Sequence, residues 1–194
     1  MEIGATKAVQ DRLKTTKIEE SKGASLVFCW DTHLTKIRGR NVLFIVNASN
    51  RYAIAMTDIE PRNWNYYTMY ISRVIHGVMQ EMGYSEDQIG QYFKMSGDTT
   101  VTKTHGRKSV GGINRMVMDA QYFGKKLEKE VKYQWELSEY LNRDICQPEG
   151  FDAYGYPSEL FKLDMERLGI ATKRKPAKVI DFSQYIESNR GTND

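Results

Sequence analysis

Residues 25–57 read SLVFCWDTHLTKIRGRNVLFIVNASNRYAIAMT, and this stretch decides the fold that we predict for the chain. Two clusters of turn-forming residues, RGRN at 38–41 and NASN at 47–50, divide it into three runs rich in apolar residues. In the first run apolar and polar side chains alternate, which is typical of a strand with one buried face. The stretch therefore predicts a meander of at least three antiparallel strands.

Helical periodicity dominates the rest of the chain after a short extended segment at 1–6 and a helical turn at 7–13. The further predicted elements are helices over 63–82 and 85–97, a strand over 99–104, a long helix from 107 to about 142 and a short helix over 158–168. The fold class that follows is α+β, a mainly antiparallel sheet covered by helices with a helical C-terminal extension. The expected organisation is an α+β core domain at 1–123, a helical extension at 124–170 and a basic, mobile tail at 171–194.

Composition excludes several classes of protein. The 194 residues contain 28 Lys and Arg against 25 Asp and Glu, so the net charge of +3 does not by itself indicate a nucleic-acid-binding protein. Two cysteines make no disulfide framework, and the absence of a CxxC motif removes the commonest zinc signature. No apolar run reaches the length of a membrane span. We expect a cytoplasmic protein without a cofactor.

The distribution of charge is more informative than its sum. Neither 32–57 nor 99–118 contains an acidic residue, although together they carry eight Lys and Arg. A merged basic face could bind a phosphate backbone, while the alternative is a set of basic residues that protect sheet edges. The candidate nucleic-acid or anion-binding residues are Lys36, Arg38, Arg40, Arg51, Lys103, Thr104, Arg107, Lys108 and Arg115.

Within this set the segment TKTHGRKS at 102–109 is the sharpest candidate for an anion site. A strand end, a glycine and a helix start would direct backbone N–H groups and two cationic side chains at one anion. The spacing is not that of a P-loop, and ordinary helix capping by Thr104 or Ser109 explains the hydroxyls equally well.

A second candidate surface lies on the long helix predicted after residue 121. Aromatic and basic side chains share one helical face there, which suits a protein partner or stacked bases. The alternative is that these tyrosines pack under the 145–157 loop. The candidate partner-binding residues are Tyr122, Lys126, Lys129, Tyr133 and Tyr140.

Catalytic or metal sites find little support in the sequence. Cys29, Asp31 and His33 alternate along one strand face, but a solvated face explains them, and His76 and His105 are isolated from them in the sequence. No motif of a known catalytic class is present. We therefore predict no catalytic residue, no metal site and no enzyme, and an enzyme built on Cys29, Asp31 and His33 is kept only as a remote alternative.

Several short motifs together resemble a family of uncharacterised bacterial proteins over about residues 1–123. The matching residues are Thr6-Lys7, Trp30, Val46-Asn47, Ser49, Arg51-Tyr52, Thr102-Lys103-Thr104 and Asn114. Asp31 and His33 depart from the family pattern. The family has no assigned activity, so the resemblance transfers no catalytic residue. Its members resemble the products of accessory genes that plasmids, phages and other mobile elements carry.

The sequence leads to an expected function in one of two classes. The first is a non-enzymatic accessory protein that binds nucleic acid or a nucleoprotein through its basic face. The second is a protein-interaction module, either an inhibitor of a host defence nuclease of the anti-CRISPR or anti-restriction type or a regulator.

Overall fold

The computed structural model of the chain describes residues 1–14 and 18–172. Within this part the strands are β1 (Glu2–Ala5), β2 (Cys29–Ile37), β3 (Arg40–Asn47), β4 (Ala53–Thr57) and β5 (Thr100–Thr102). The helices are α1 (Lys7–Leu13), α2 (Pro61–Asn65), α3 (Tyr67–Glu81), α4 (Glu86–Ser96), α5 (Arg107–Gln121), α6 (Trp135–Asn142) and α7 (Pro157–Arg167). The α+β class predicted from the sequence is confirmed.

The five strands form one sheet in the order β4-β3-β2-β1-β5. β2, β3 and β4 are the antiparallel meander that the sequence predicts. β1 lies between β2 and β5 and is parallel to both, so the sheet is mixed. The parallel pairs place residues from distant parts of the sequence side by side, and this arrangement builds the site described below.

Both faces of the sheet are covered by helices, because the apolar residues of the meander point alternately to either side. On one face Trp30, Leu43 and Ile45 pack against α1, α3, α4 and α7. On the other face Phe44 and Val46 pack against α5 and α6. The second face is therefore not solvated, contrary to the expectation for the Cys29, Asp31 and His33 side of β2.

The long helix predicted from 107 to 142 is wrong in its middle part. α5 ends at Gln121, residues 122–134 are not helical, and α6 begins at Trp135. The backbone of this segment is bound by the sheet edge instead, since Thr57 N–H donates to the Lys132 carbonyl and Gln134 N–H donates to Ala55. These contacts satisfy the edge of β4, which would otherwise be open to pairing with another chain.

The C-terminal helices contribute to the same apolar clusters as the rest of the chain. α6 supplies Leu137 and Leu141 to the cluster beneath α5, and α7 supplies Phe161 to the opposite one. The predicted mobile tail lies outside the described residues, apart from 171 and 172. Among the described helices none combines the length and the apolar character needed to cross a membrane.

Candidate functional site

A cluster of buried polar side chains lies where β1, β2 and β5 meet the start of α5. The register pairs Glu2 with Cys29 and Gly4 with Asp31, which directs these side chains to the face covered by α5. His105 follows β5 and reaches the same place, and Ser109 comes from the first turns of α5. We call Glu2, Cys29, Asp31, His105 and Ser109 the buried polar cluster.

His105 is bound on both ring nitrogens. Its Nδ1 lies 2.7 Å from Asp31 Oδ1, and its Nε2 lies 2.9 Å from Glu2 Oε2. The exposed fractions of these side chains are 2% for His105, 5% for Glu2 and 0% for Asp31. An imidazole between two carboxylates at these distances carries a proton on each nitrogen, so the ring is a buried cation.

The pKa values agree with that assignment. Burial opposes the charge on His105, but hydrogen bonds with Asp31 and Cys29 outweigh it and raise the pKa of His105 to about 10. Burial likewise opposes the charge on Glu2, while hydrogen bonds from Ser21, His105 and the Lys22 N–H lower the pKa of Glu2 below its usual value. Glu2 and His105 therefore carry opposite charges at neutral pH.

Other donors complete the binding of the two carboxylates. Asp31 accepts from the hydroxyl of Ser109 and from the His105 backbone N–H at 3.2 Å. Glu2 accepts from Ser21 Oγ at 2.6 Å and from Lys22 N–H at 2.8 Å. Buried carboxylates are stable only when their oxygens are satisfied in this way.

Gly4 makes the close approach possible. A Cβ atom at this position would lie 1.9 Å from Asp31 Oδ1 and 3.0 Å from His105 Nδ1. A glycine is required here by space rather than by backbone conformation.

Only part of this cluster was predicted from the sequence. Cys29 and Asp31 belong to it, but His33 does not, since its Nδ1 contacts Thr6 Oγ1 at 3.1 Å. The sequence predicted an isolated His105, but the structure places it between Asp31 and Glu2. Neither Glu2 nor Ser109 was a candidate. One signal could have indicated Glu2: it alternates with Gly4 along β1 as Cys29 alternates with Asp31 along β2. That signal has meaning only once β1 is known to pair in parallel with β2.

Part of the predicted basic set converges on a second site, a cavity of about 240 Å³ at the start of α5. Arg51, Lys108 and Arg115 line it together with Gly111 and Gly112. We call it the basic cavity. Glu149 also lines the cavity, with its carboxylate 3.9 Å from Lys108 Nζ.

Arg51 is fixed at the cavity by the turn after β3. Its backbone has a φ of +62°, and its Nη2 donates to the Gly112 carbonyl at 3.3 Å. Gly112 permits this approach, because a Cβ there would lie 3.1 Å from Arg51 Nε. No acceptor among the described residues bonds to that buried Nε, so the guanidinium retains a donor without a partner.

Other predicted basic residues stabilise the fold or lie elsewhere. Arg40 donates to the Leu127 and Glu128 carbonyls and to Thr57, and it pairs with Asp58. Its guanidinium thus anchors the 122–134 segment and is not available to a ligand.

Arg38, with a positive φ, donates to the Lys125 carbonyl at 3.0 Å, and Lys36 is exposed near it at the end of β2. Lys103 pairs with Glu20 at the edge of the sheet. Thr104 makes no capping hydrogen bond, and α5 instead begins after Gly106. The basic residues therefore do not form one continuous face.

The single helical face predicted for the partner-binding residues is not formed, because it required a helix through 122–134. Tyr133 packs against the core and Leu137 is buried, whereas Tyr122 is 80% exposed. Lys126, Lys129 and Tyr140 are exposed, but Lys126 and Lys129 lie on the non-helical segment and Tyr140 on α6. They share no helical face with Tyr122.

Comparison with known proteins gives the family but no activity. No curated protein and no solved structure matches the chain. A model of a domain of unknown function, DUF6933, matches residues 2–160. The match continues past residue 123, where the resemblance was expected to end, through α6 and into α7. This chain accordingly belongs to the DUF6933 family of domains of unknown function.

Proposed function

We propose that the protein is a non-enzymatic module that binds the phosphate backbone of nucleic acid, alone or in a nucleoprotein, at the basic cavity and the adjoining face of α5. The observation that carries the proposal is the convergence of Arg51, Lys108 and Arg115 on one cavity, where Arg51 Nε has no acceptor among the described residues. These three cations are opposed by Glu149, 3.9 Å from Lys108, and by Asp119, 3.9 Å from Arg115, so the cavity keeps a net positive charge. The proposal includes a cytoplasmic location and an accessory role on a mobile element.

The outer face of α5 extends the positive surface of the cavity. Arg107, Gly111 and Arg115 follow one another at intervals of four residues and so share a helix face. Arg107 and Lys108 are both exposed, and the first turn of α5 has no acidic residue. Cations on one helix face next to exposed backbone suit a phosphate backbone, which needs both charge and close approach.

The two glycines of the cavity supply that close approach. Gly111 is exposed, and nothing lies within 4 Å of the position of a Cβ atom there. A phosphate group can therefore approach the helix backbone at Gly111 while it pairs with Arg51 and Lys108. Arginine can bind two phosphate oxygens at once.

The test is fluorescence anisotropy with labelled single-stranded DNA, duplex DNA and RNA over a series of salt concentrations. If Arg51, Arg107, Lys108 and Arg115 each contact one phosphate, the slope of log affinity against log salt is about −3.6 on duplex DNA. The double variant Arg107→Glu/Lys108→Glu should then have a slope of about −1.8 or shallower, with a similar loss for every base sequence.

A matched control reverses two exposed cations on the opposite side of the sheet. Arg73→Glu/Lys94→Glu makes the same change in net charge on α3 and α4. Its salt slope should equal that of the wild type. Lack of binding by the wild type at low salt, or equal slopes for the two double variants, would reject the proposal.

A second candidate function is supported by exposed apolar side chains on α5 and at its C-cap, Tyr122. Met118 and Tyr122 are 64% and 80% exposed, and they continue the face of Arg115 at intervals of three and four residues. Exposed methionine and tyrosine beside arginine are typical of protein interfaces. An acidic protein partner, such as a host defence nuclease bound by an inhibitor, would use both the cations and these side chains.

The two functions differ in their dependence on the apolar residues. Met118→Ser/Tyr122→Ser should leave a salt-dependent affinity for nucleic acid nearly unchanged. It should abolish binding to a purified nuclease if that enzyme is the partner.

A further inference from the structure

Three groups of the buried polar cluster are arranged as metal ligands. A carboxylate oxygen of Glu2, Sγ of Cys29 and a ring nitrogen of His105 all lie within 4.8 Å of one another. They come from β1, from β2 and from the residues after β5, and the parallel register fixes their relative positions. We propose that Glu2, Cys29 and His105 bind a divalent transition-metal ion of the zinc class, a site independent of the basic cavity.

The donor set selects this class of metal. A thiolate and an imidazole disfavour Mg²⁺ and Ca²⁺, which prefer oxygen, and they suit Zn²⁺ or Co²⁺. Ligand atoms around a tetrahedral zinc ion are about 3.3–3.6 Å apart, given bond lengths of about 2.0–2.3 Å. In the structure the three ligand atoms all lie within 4.8 Å of one another, and His105 Nε2 is 2.9 Å from Glu2 Oε2. These distances lie above and below the spacing around zinc. Shifts of about 1 Å or less would form the site.

Asp31 supplies the orientation that such a histidine needs. Its Oδ1 lies 2.7 Å from Nδ1 of His105, which leaves Nε2 directed at Glu2. Metal-bound histidines commonly donate their second N–H to a carboxylate, which fixes the ring and its tautomer. Asp31 is thus a positioning residue, and Ser109 holds its other oxygen.

Metal binding exchanges protons for the ion. Cys29 Sγ donates to the Ser25 carbonyl at 3.5 Å, and it would bind the ion as a thiolate. His105 would bind through a ring nitrogen that carries no proton, so one proton leaves each of these two ligands.

The segment that covers the cluster offers a path for entry. Ser21 and Lys22 hydrogen-bond to Glu2 from outside, and residues 19–23 are exposed. Glu19 is held on the sheet edge by its bridge with Thr102, so separation of residues 21–23 from Glu2 would open the ligands to solvent while that bridge stays in place.

The test is titration of the full chain, after treatment with EDTA, with CoCl₂ under reducing conditions. We expect a near-ultraviolet thiolate-to-cobalt band that saturates at one ion per chain, is lost on addition of ZnCl₂ and accompanies a rise in Tm. The chain contains two cysteines, so Cys146→Ser is a matched control. A band retained in Cys146→Ser assigns the sulfur to Cys29 even if Cys29→Ser does not fold.

Variants of the nitrogen ligand and of its positioning residue complete the test. Asp31→Asn should weaken Co²⁺ binding about 10–100-fold with the thiolate band preserved. His105→Gln should weaken binding more than that, whereas His76→Gln on α3 should not change it. No thiolate band in the wild type, or a band lost in Cys146→Ser, would overturn the proposal.

Discussion

A methyl group added at Gly4 should break the hydrogen bonds between Asp31 and His105. The new Cβ would lie 1.9 Å from Asp31 Oδ1, so the carboxylate must move by about 1 Å before the contact reaches 3.0 Å. The 2.7 Å bond to His105 Nδ1 does not survive that movement, and the bond to Ser109 is strained with it.

The magnitude follows from these contacts. Loss of a hydrogen bond to a charged group costs about 1.5–3 kcal/mol, and overpacking of a filled site costs about 1–3 kcal/mol. Alanine also lowers the entropy of the unfolded chain, which raises the free energy of unfolding by about 0.4–1 kcal/mol. We expect Gly4→Ala to lower the free energy of unfolding by about 3 kcal/mol, a fall in Tm of about 6–12 °C.

The assay is urea unfolding followed by tryptophan fluorescence, since Trp30 and Trp64 are buried. The control is Gly90→Ala in α4, where nothing lies within 4 Å of the new Cβ atom. That variant should gain about 0.5–1 kcal/mol, because alanine is the better helix former. If the two variants unfold at the same urea concentration, the buried polar cluster does not stabilise the fold as we argue.

Two further pairs of variants test the segment around 122–134, for which the predicted helix was wrong. Arg40→Ala should cost about 2 kcal/mol of unfolding free energy and make the 122–134 segment sensitive to protease, because the Arg40 guanidinium binds two carbonyls of that segment. Arg38→Ala loses one exposed hydrogen bond and should change neither property. Equal protease sensitivity of the two variants would contradict the anchoring role of Arg40. Tyr133→Ala should cost about 2 kcal/mol, since the ring packs against the core. Tyr140→Ala should cost under about 1 kcal/mol, because that side chain is 42% exposed, and equal values from thermal unfolding would refute the distinction.

Local patterns predicted elements whose residues interact with near neighbours. The meander over 25–57 was predicted because its alternation and its turns act within a few residues. Ser85 likewise caps α4, where its side chain and that of Gln88 form a reciprocal capping box. Such features require no knowledge of distant residues.

Local patterns could not show that residues 122–134 are not helical. Its apolar spacing suits a helix, but the backbone of this segment bonds to the outer edge of β4, about 75 residues earlier in the chain. An open sheet edge outweighs local propensity, because unpaired backbone groups there cost more than a few tenths of a kcal/mol per residue.

For this protein the sequence by itself determined the α+β class, the meander, the turn that carries Arg51 and the basic character of the start of α5. Only the tertiary structure decided that β1 lies parallel between β2 and β5, which brings Glu2 and His105, 103 residues apart, into one buried cluster. The physical reason is that strand order depends on how helices cover both faces of the sheet, whereas side-chain alternation records only which face a residue occupies.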